Sequence, residues 1–148
     1  MDPVTVYLID WAKHFFKHKD VLTKTIEDIK ETDSGLHISK KDMDMEVIVK
    51  PVVEDVEKLS IDKDKKYSLI FLNNKENFEK IVSEWNTLKM FPLLTIYFIN
   101  PFSPEQKWVI QPHVHDRISD RESFKSGIKS LFETVEEITV SELQRKIS

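Results

Sequence analysis

The 148-residue chain contains no cysteine, only two glycines and six prolines. Without cysteine there is no disulfide framework, thiolate zinc site, cysteine-held iron–sulfur cluster or cysteine nucleophile. The glycines, Gly35 and Gly127, stand alone. They form neither a Gly-rich phosphate loop nor a Gly-x-Ser-x-Gly elbow, which excludes nucleotide binding by such a loop. Arginine is scarce, three against nineteen lysines. That bias, with abundant isoleucine, fits an AT-rich genome of an archaeal or heat-loving kind, in which lysine and glutamate are enriched. Long apolar runs are missing as well: Phe91 to Ile99 contains Pro92 and Thr95 and is about half the ~20 residues of a membrane helix. The opening MDPVTVYLID lacks the basic-then-apolar order of a signal peptide, so the expected location is cytoplasmic, away from membranes.

What is present is a globular balance, 40% hydrophobic and 32% charged residues. One domain over residues 1–148 is expected, removing roughly 70% of its extended-chain surface from water. The formal charge of −4 argues against a surface that coats nucleic acid, although a local basic patch could bind phosphate.

Apolar spacing at Val4, Leu8, Trp11 and Phe15 predicts a helix over 4–18, with Pro3 tolerated in its first turn. Residues 20–34 fit either a helix after an Asp20 cap or a hairpin strand, and the threonines and the Asp33-Ser34-Gly35 turn favour the strand. Met43 to Lys50 alternates as a strand with one wet face. Pro51 opens a short helical turn, and Tyr67 to Leu72 is an apolar strand. A helix follows, capped by Asn73 or Asn74 and carrying Phe78, Ile81, Val82, Trp85 and Leu88. Leu93 to Ile99 is apolar on both faces and should be a central strand. Lys107 to Ile110 reads as an edge strand continuing past Pro112. Ser119 and Glu122 have capping-box spacing before a last long helix, and Thr139 and Glu142 repeat it before a short one. The expectation is an α/β (α+β) domain with helices on a mixed central sheet of about five strands, in the order α-β-β-β-α-β-β-α.

From the first helix to the strand over Lys107 to Ile110, this succession resembles the restriction-endonuclease-like core, particularly the small archaeal Holliday-junction resolvases. That family carries an aspartate near the start of one core strand and Glu-x-Lys on the next, often with an acid on the first helix. Here the Glu-x-Lys region falls on Phe71, Leu72 and Asn73, without an ionisable group. The earlier strand offers Asp44, Glu46 and Lys50 at Glu-x-x-x-Lys spacing. The resemblance implies the fold with a degenerate catalytic motif.

Three constellations carry chemistry. Asp42, Asp44 and Glu46 alternate on one strand, where carboxylates could hold magnesium or manganese, with Lys50 available to a developing phosphate charge; the bland reading is a solvated strand face. His113-Val114-His115-Asp116, taken as extended, puts both imidazoles on one side as zinc donors; the alternative is a loop with hydrogen-bonded histidines. Asp10, His14 and His18 form a ridge on the first helix, flanked by Lys13, Lys17 and Lys19, which could touch phosphate or simply border the helix. The expected role is a noncatalytic interaction or scaffold protein, burying an apolar edge around Trp108 and Phe102 or pairing through its last two helices near Leu143 and Ile147 in a homo-oligomer or with a protein partner. The alternatives are a divalent-metal nuclease or phosphodiesterase acting on nucleic acid through Asp44, Glu46 and Lys50, and a zinc protein using His113, His115 and Asp116.

Overall fold

A computed structural model of the protein describes residues 2–116 and 120–148. Helix α1 (Pro3–Lys19) begins where Asp2 accepts a hydrogen bond from the Thr5 backbone N–H at 3.0 Å. Its most buried stripe is Val4, Leu8, Ala12 and Phe16. Trp11 and Phe15, expected on that stripe, are only partly buried. The helix ends at Asp20, whose carboxylate accepts from the backbone N–H groups of Thr25 and Ile26, both at 2.9 Å, and from the hydroxyls of Thr23 and Thr25. Those four donors fix the turn into a strand and hold the Asp20 carboxyl far below the usual carboxylate range, the Thr25 hydroxyl contributing most.

Six strands form one sheet in chain order, β1 (Ile26–Glu31), β2 (Gly35–Lys40), β3 (Met45–Val49), β4 (Lys66–Leu72), β5 (Leu94–Ile99) and β6 (Lys107–Ile110). The first three form an antiparallel meander, β3, β4 and β5 run parallel, and β6 returns antiparallel. The strand over residues 20–34 is β1, and the one beyond the expected five is β2, which folds back on β1 across the Asp33-Ser34-Gly35 turn. Gly35 is needed where β2 begins, because a β-carbon there would run into the Val47 carbonyl oxygen. Gly127, by contrast, has open space around it and serves no close packing.

Between β4 and β5 lie α2 (Lys75–Ser83), capped by Asn74, and the single turn α3 (Trp85–Leu88). Past β6 the chain does not continue as an edge strand: Pro112 fixes φ for a helical start and opens the turn α4 (Pro112–His115). Ser119 lies outside the described residues; α5 (Arg121–Glu133) is capped by Asp120, which accepts from Ser123 N at 2.9 Å. The Thr139/Glu142 capping box starts α6 (Val140–Ile147).

Strand alternation sends side chains to two cores. On one face α1 and α6 cover Leu36, Ile38, Met45, Val47, Val49, Ile70, Leu72 and Ile99. On the other, Ile81, Trp85, Leu88 and Ile128 cover Leu69, Phe71, Ile96, Phe98, Trp108 and Ile110. β4 and β5 therefore have no wet face, as their unbroken apolar sequence requires.

Candidate anion-binding cleft

The face under α1 changes character along each strand. Leu36 and Ile38 on β2 give way to Lys40, and Ile70 and Leu72 on β4 are preceded by Ser68 and Lys66. Tyr97 and Ile99 on β5 are preceded by Thr95, which lies beside Ser68. The polar ends coincide where β3, β4 and β5 begin and α1 stops. A cleft of about 550 Å³ opens there, lined by Phe15, Phe16 and Lys19 of α1, by Lys40, Lys66 and Lys107, and by the hydroxyls of Ser68, Thr95 and Tyr97. Asp20 is the one carboxylate in its lining, and its oxygens already hold the turn after α1.

Four lysines thus converge on one space, of which Lys40, Lys66 and Lys107 are half-buried and Lys19 is exposed. Among the described residues none of the four forms an ion pair; the lysine ion pairs engage Lys13, Lys75, Lys80 and Lys89. Burial, then the neighbouring Lys40 and, more weakly, Lys19, push the Lys66 ammonium below the usual lysine range, and exposed Asp42 offsets this in part. The ammoniums of Lys107 and Lys19 stand 5.5 and 6.0 Å from the centre of the Phe15 ring, whose face gives each a weak attraction. Phe15 itself is stacked on Trp11 and meets Tyr97 edge-on. Burial pushes the Tyr97 phenol up, and a hydrogen bond with Ser68 opposes it. Ser68 Oγ also donates to Met45 Sδ at 3.1 Å, a weak acceptor.

The opposite end of the parallel strands is closed. Asn73 Nδ2 donates to the Val135 and Phe132 carbonyls at 2.8 and 3.2 Å, and its Oδ1 accepts from Trp108 Nε1 at 2.7 Å. Asn74 donates to the Ile138 carbonyl and Asn100 to that of Glu136. Asn77 holds the 51–53 segment through the Pro51 carbonyl and Val53 N–H. The segment between α5 and α6 is thereby fastened over the carboxyl ends of β4 and β5, the place where open α/β sheets usually take ligands.

The residues singled out from sequence lie elsewhere. Asp44 and Glu46 clasp His37 of β2: its Nδ1 donates to Glu46 Oε1, and its Nε2 lies 3.4 Å from Asp44 Oδ2. The hydrogen bond to Glu46 is the main cause that raises the His37 pKa above its ordinary value. Lys50 follows Glu46 by four extended residues, about 13 Å of chain, and does not share that cluster. Asp42 sits in the turn between β2 and β3, and that turn rather than an eight-residue strand occupies 41–44.

The stretch at 113–116 is a helical turn, not extended, so its donors diverge. His113 Nδ1 donates to the Lys89 carbonyl, His115 Nδ1 lies against the backbone N–H and carbonyl of Gln111 at 3.0 and 2.9 Å, and Asp116 accepts from Trp85 Nε1 at 2.9 Å. On α1, His14 donates to the Asp10 carbonyl at 2.8 Å, and both it and His18 are exposed. Among the described residues no three His, Asp or Glu side chains are grouped to hold a metal ion.

The apolar edge expected around Trp108 does not exist as a surface. Trp108 is buried against Phe98, and Phe102 is exposed elsewhere, stacked on Tyr7. Leu143 is fully buried, packed under α1. No helix among the described residues is long and apolar enough to cross a membrane.

Of the cleft residues, sequence reasoning singled out only Lys19. Ser68 and Thr95 carried a readable signal, a hydroxyl at matching depth in two otherwise apolar strands. Compared with family models, curated proteins and solved structures, the chain matches none.

Proposed function

We propose that this protein binds a small phosphate-bearing ligand in the four-lysine cleft. The observation that carries this is the convergence on one partly buried, hydroxyl-lined space of four lysines that form no ion pair among the described residues. Gathering like charges at a sheet end costs Coulomb energy that a multiply charged anion would repay, more strongly in a cleft than in bulk water. Phosphate suits the donor set because ammonium groups bind it as point charges and hydroxyls add directed hydrogen bonds. A small ligand is favoured over a polymer because the volume falls within the ~300–1,000 Å³ of small-molecule sites, and because the rest of a chain carrying −4 repels polyanions. The chain is then a binding protein for a small anion, a different reading from the interaction or scaffold role through a protein surface that its sequence suggests. The nuclease-like element order stands beside this as a proposal about ancestry.

The test is titration with inorganic pyrophosphate, a nucleoside monophosphate and a short single-stranded oligonucleotide, followed through the fluorescence of Trp11 beside the cleft. Saturable one-to-one binding of a small probe is expected, with Lys40→Met and Lys66→Met each weakening it by about tenfold, equivalent to ~1.4 kcal/mol. If no small probe binds, or both variants bind as the parent does, the reading fails. Binding of the oligonucleotide alone, falling steeply with salt, would replace it with nucleic-acid recognition.

A further inference from the structure

Resting on that reading, we propose that the ligand is a phosphorylated aldehyde or ketone and that Lys66 forms an imine with its carbonyl carbon. Lys66 differs from the other lysines of the cleft in where its backbone lies. It opens β4, paired in register with Met45 of β3, and the next residue donates from Tyr67 N to the Leu93 carbonyl at 3.2 Å. Its α-carbon is thus fixed between two parallel neighbours, whereas Lys19 ends a helix and is exposed. A half-buried amine on a rigid strand is presented to the cleft with less conformational freedom than a surface lysine has.

Its surroundings favour the free amine. Burial acts most strongly and the neighbouring Lys40 next, both against the charged form; exposed Asp42 opposes them, and Lys19 adds a smaller push in the direction of burial. Asp20, the carboxylate in the lining, is committed to the turn after α1. A lysine that is desolvated and set beside other cations is the arrangement that makes an amine nucleophilic near neutral pH. Lys19, Lys40 and Lys107 remain to hold the phosphate, so anchoring and reaction fall to different side chains.

The hydroxyls complete the arrangement. Ser68 lies two residues along the same strand face, its proton given to a thioether, and Thr95 stands beside it on β5. A carbonyl or carbinolamine oxygen is a stronger acceptor than sulfur and would draw the Ser68 hydroxyl to itself. In the reaction the amine lone pair adds to the carbonyl carbon and an amine proton passes to the oxygen, giving a carbinolamine. That oxygen takes a second proton and leaves as water while the C=N bond forms. Amine and carbonyl become imine and water, with no change of oxidation state and no further reactant.

Pyridoxal 5′-phosphate supplies both groups in one probe. The full chain is exposed to it at neutral pH, reduced with borohydride at intervals, and mapped by peptide mass spectrometry. Lys66 is expected to be labelled at least tenfold faster than the exposed Lys58 and Lys129. Pyridoxal without its phosphate should label Lys66 about tenfold more slowly, and pyrophosphate should slow the phosphorylated probe. Lys66→Arg, which keeps the charge, should abolish the fast label. Even labelling of Lys66 and the exposed lysines, in a protein that still binds pyrophosphate, overturns the imine and leaves the anion site standing. Fast labelling of Lys66 that needs no phosphate and ignores pyrophosphate overturns the phosphorylated ligand, and the binding reading with it.

Discussion

The two ends of the parallel strands use polar side chains in opposite ways. At the carboxyl end Asn73, Asn74 and Asn100 donate to backbone carbonyls of residues 132–138, and Trp108 completes Asn73. Every such group finds a partner within the protein. At the amino end Lys19, Lys40 and Lys66 line one cleft, Lys107 joins its lining from β6, and among the described residues none of the four forms an ion pair. Satisfied polar groups fasten a fold, and unsatisfied charges of one sign weaken it unless something else uses them. Function in this molecule therefore belongs to the end that folding leaves incomplete.

The closed end depends most on Asn73. Asn73→Ala deprives the Trp108 indole and two carbonyls of a partner in a fully buried place. At about 1–3 kcal/mol for each unsatisfied buried group, a loss of ~3 kcal/mol or more is expected in denaturant unfolding. A loss below 1 kcal/mol would show that the carboxyl end is not sealed by this network.

The converse is expected at Lys66. Lys66→Met removes a half-buried charge beside two like charges and keeps the aliphatic packing, so it should raise stability by about 0.5–1 kcal/mol while weakening pyrophosphate. Destabilisation by this substitution would mean that the lysine serves the fold. Pyrophosphate at about one hundred times its dissociation constant should in turn stabilise the parent by ~2.7 kcal/mol in thermal unfolding, and Lys66→Met much less at the same concentration.

The smallest effect is a control on the opposite face of the sheet from the cleft. His37 has a raised pKa in the fold, chiefly through Glu46, and is about a third exposed. A group whose folded pKa exceeds its unfolded value near 6.5 adds stability that is complete below that value and is lost as pH rises through the folded pKa. Stability should therefore fall slightly across that interval, and His37→Gln should flatten the profile while leaving pyrophosphate binding unchanged. An imidazole titration by NMR that places the His37 pKa at or below 6.5 would contradict the clasp by Asp44 and Glu46.

Much of this architecture was legible from local pattern. The apolar runs of β4 and β5, the Asn74 cap, the Thr139/Glu142 box and the α1 helix all follow from side-chain periodicity and capping chemistry. What misled was local as well. His113 and His115 looked like a paired donor set because an extended chain was assumed, and Pro112 in fact starts a helical turn. Asp44, Glu46 and Lys50 looked like a site because alternation places residues on one side without saying whether they meet. Glu46 instead meets His37, a residue nine positions earlier that only the β2–β3 register brings opposite. Trp108, whose alternation with Ile110 favours packing over exposure, is buried, and Leu143, named for a pairing surface, is buried as well.

Composition and local pattern exclude the chemistry of cysteine and of Gly-rich loops, and they set the mixed helix and strand content and the two apolar strands at the centre. Those properties depend on composition and on neighbours a few residues apart. The cleft was decided by the tertiary structure alone. Its lysines come from positions 19, 40, 66 and 107, and no spacing relates them until the sheet sets parallel β4 between antiparallel β2 and β6 beneath the end of α1. Long-range register, the property that local propensity does not encode, gathers the charges.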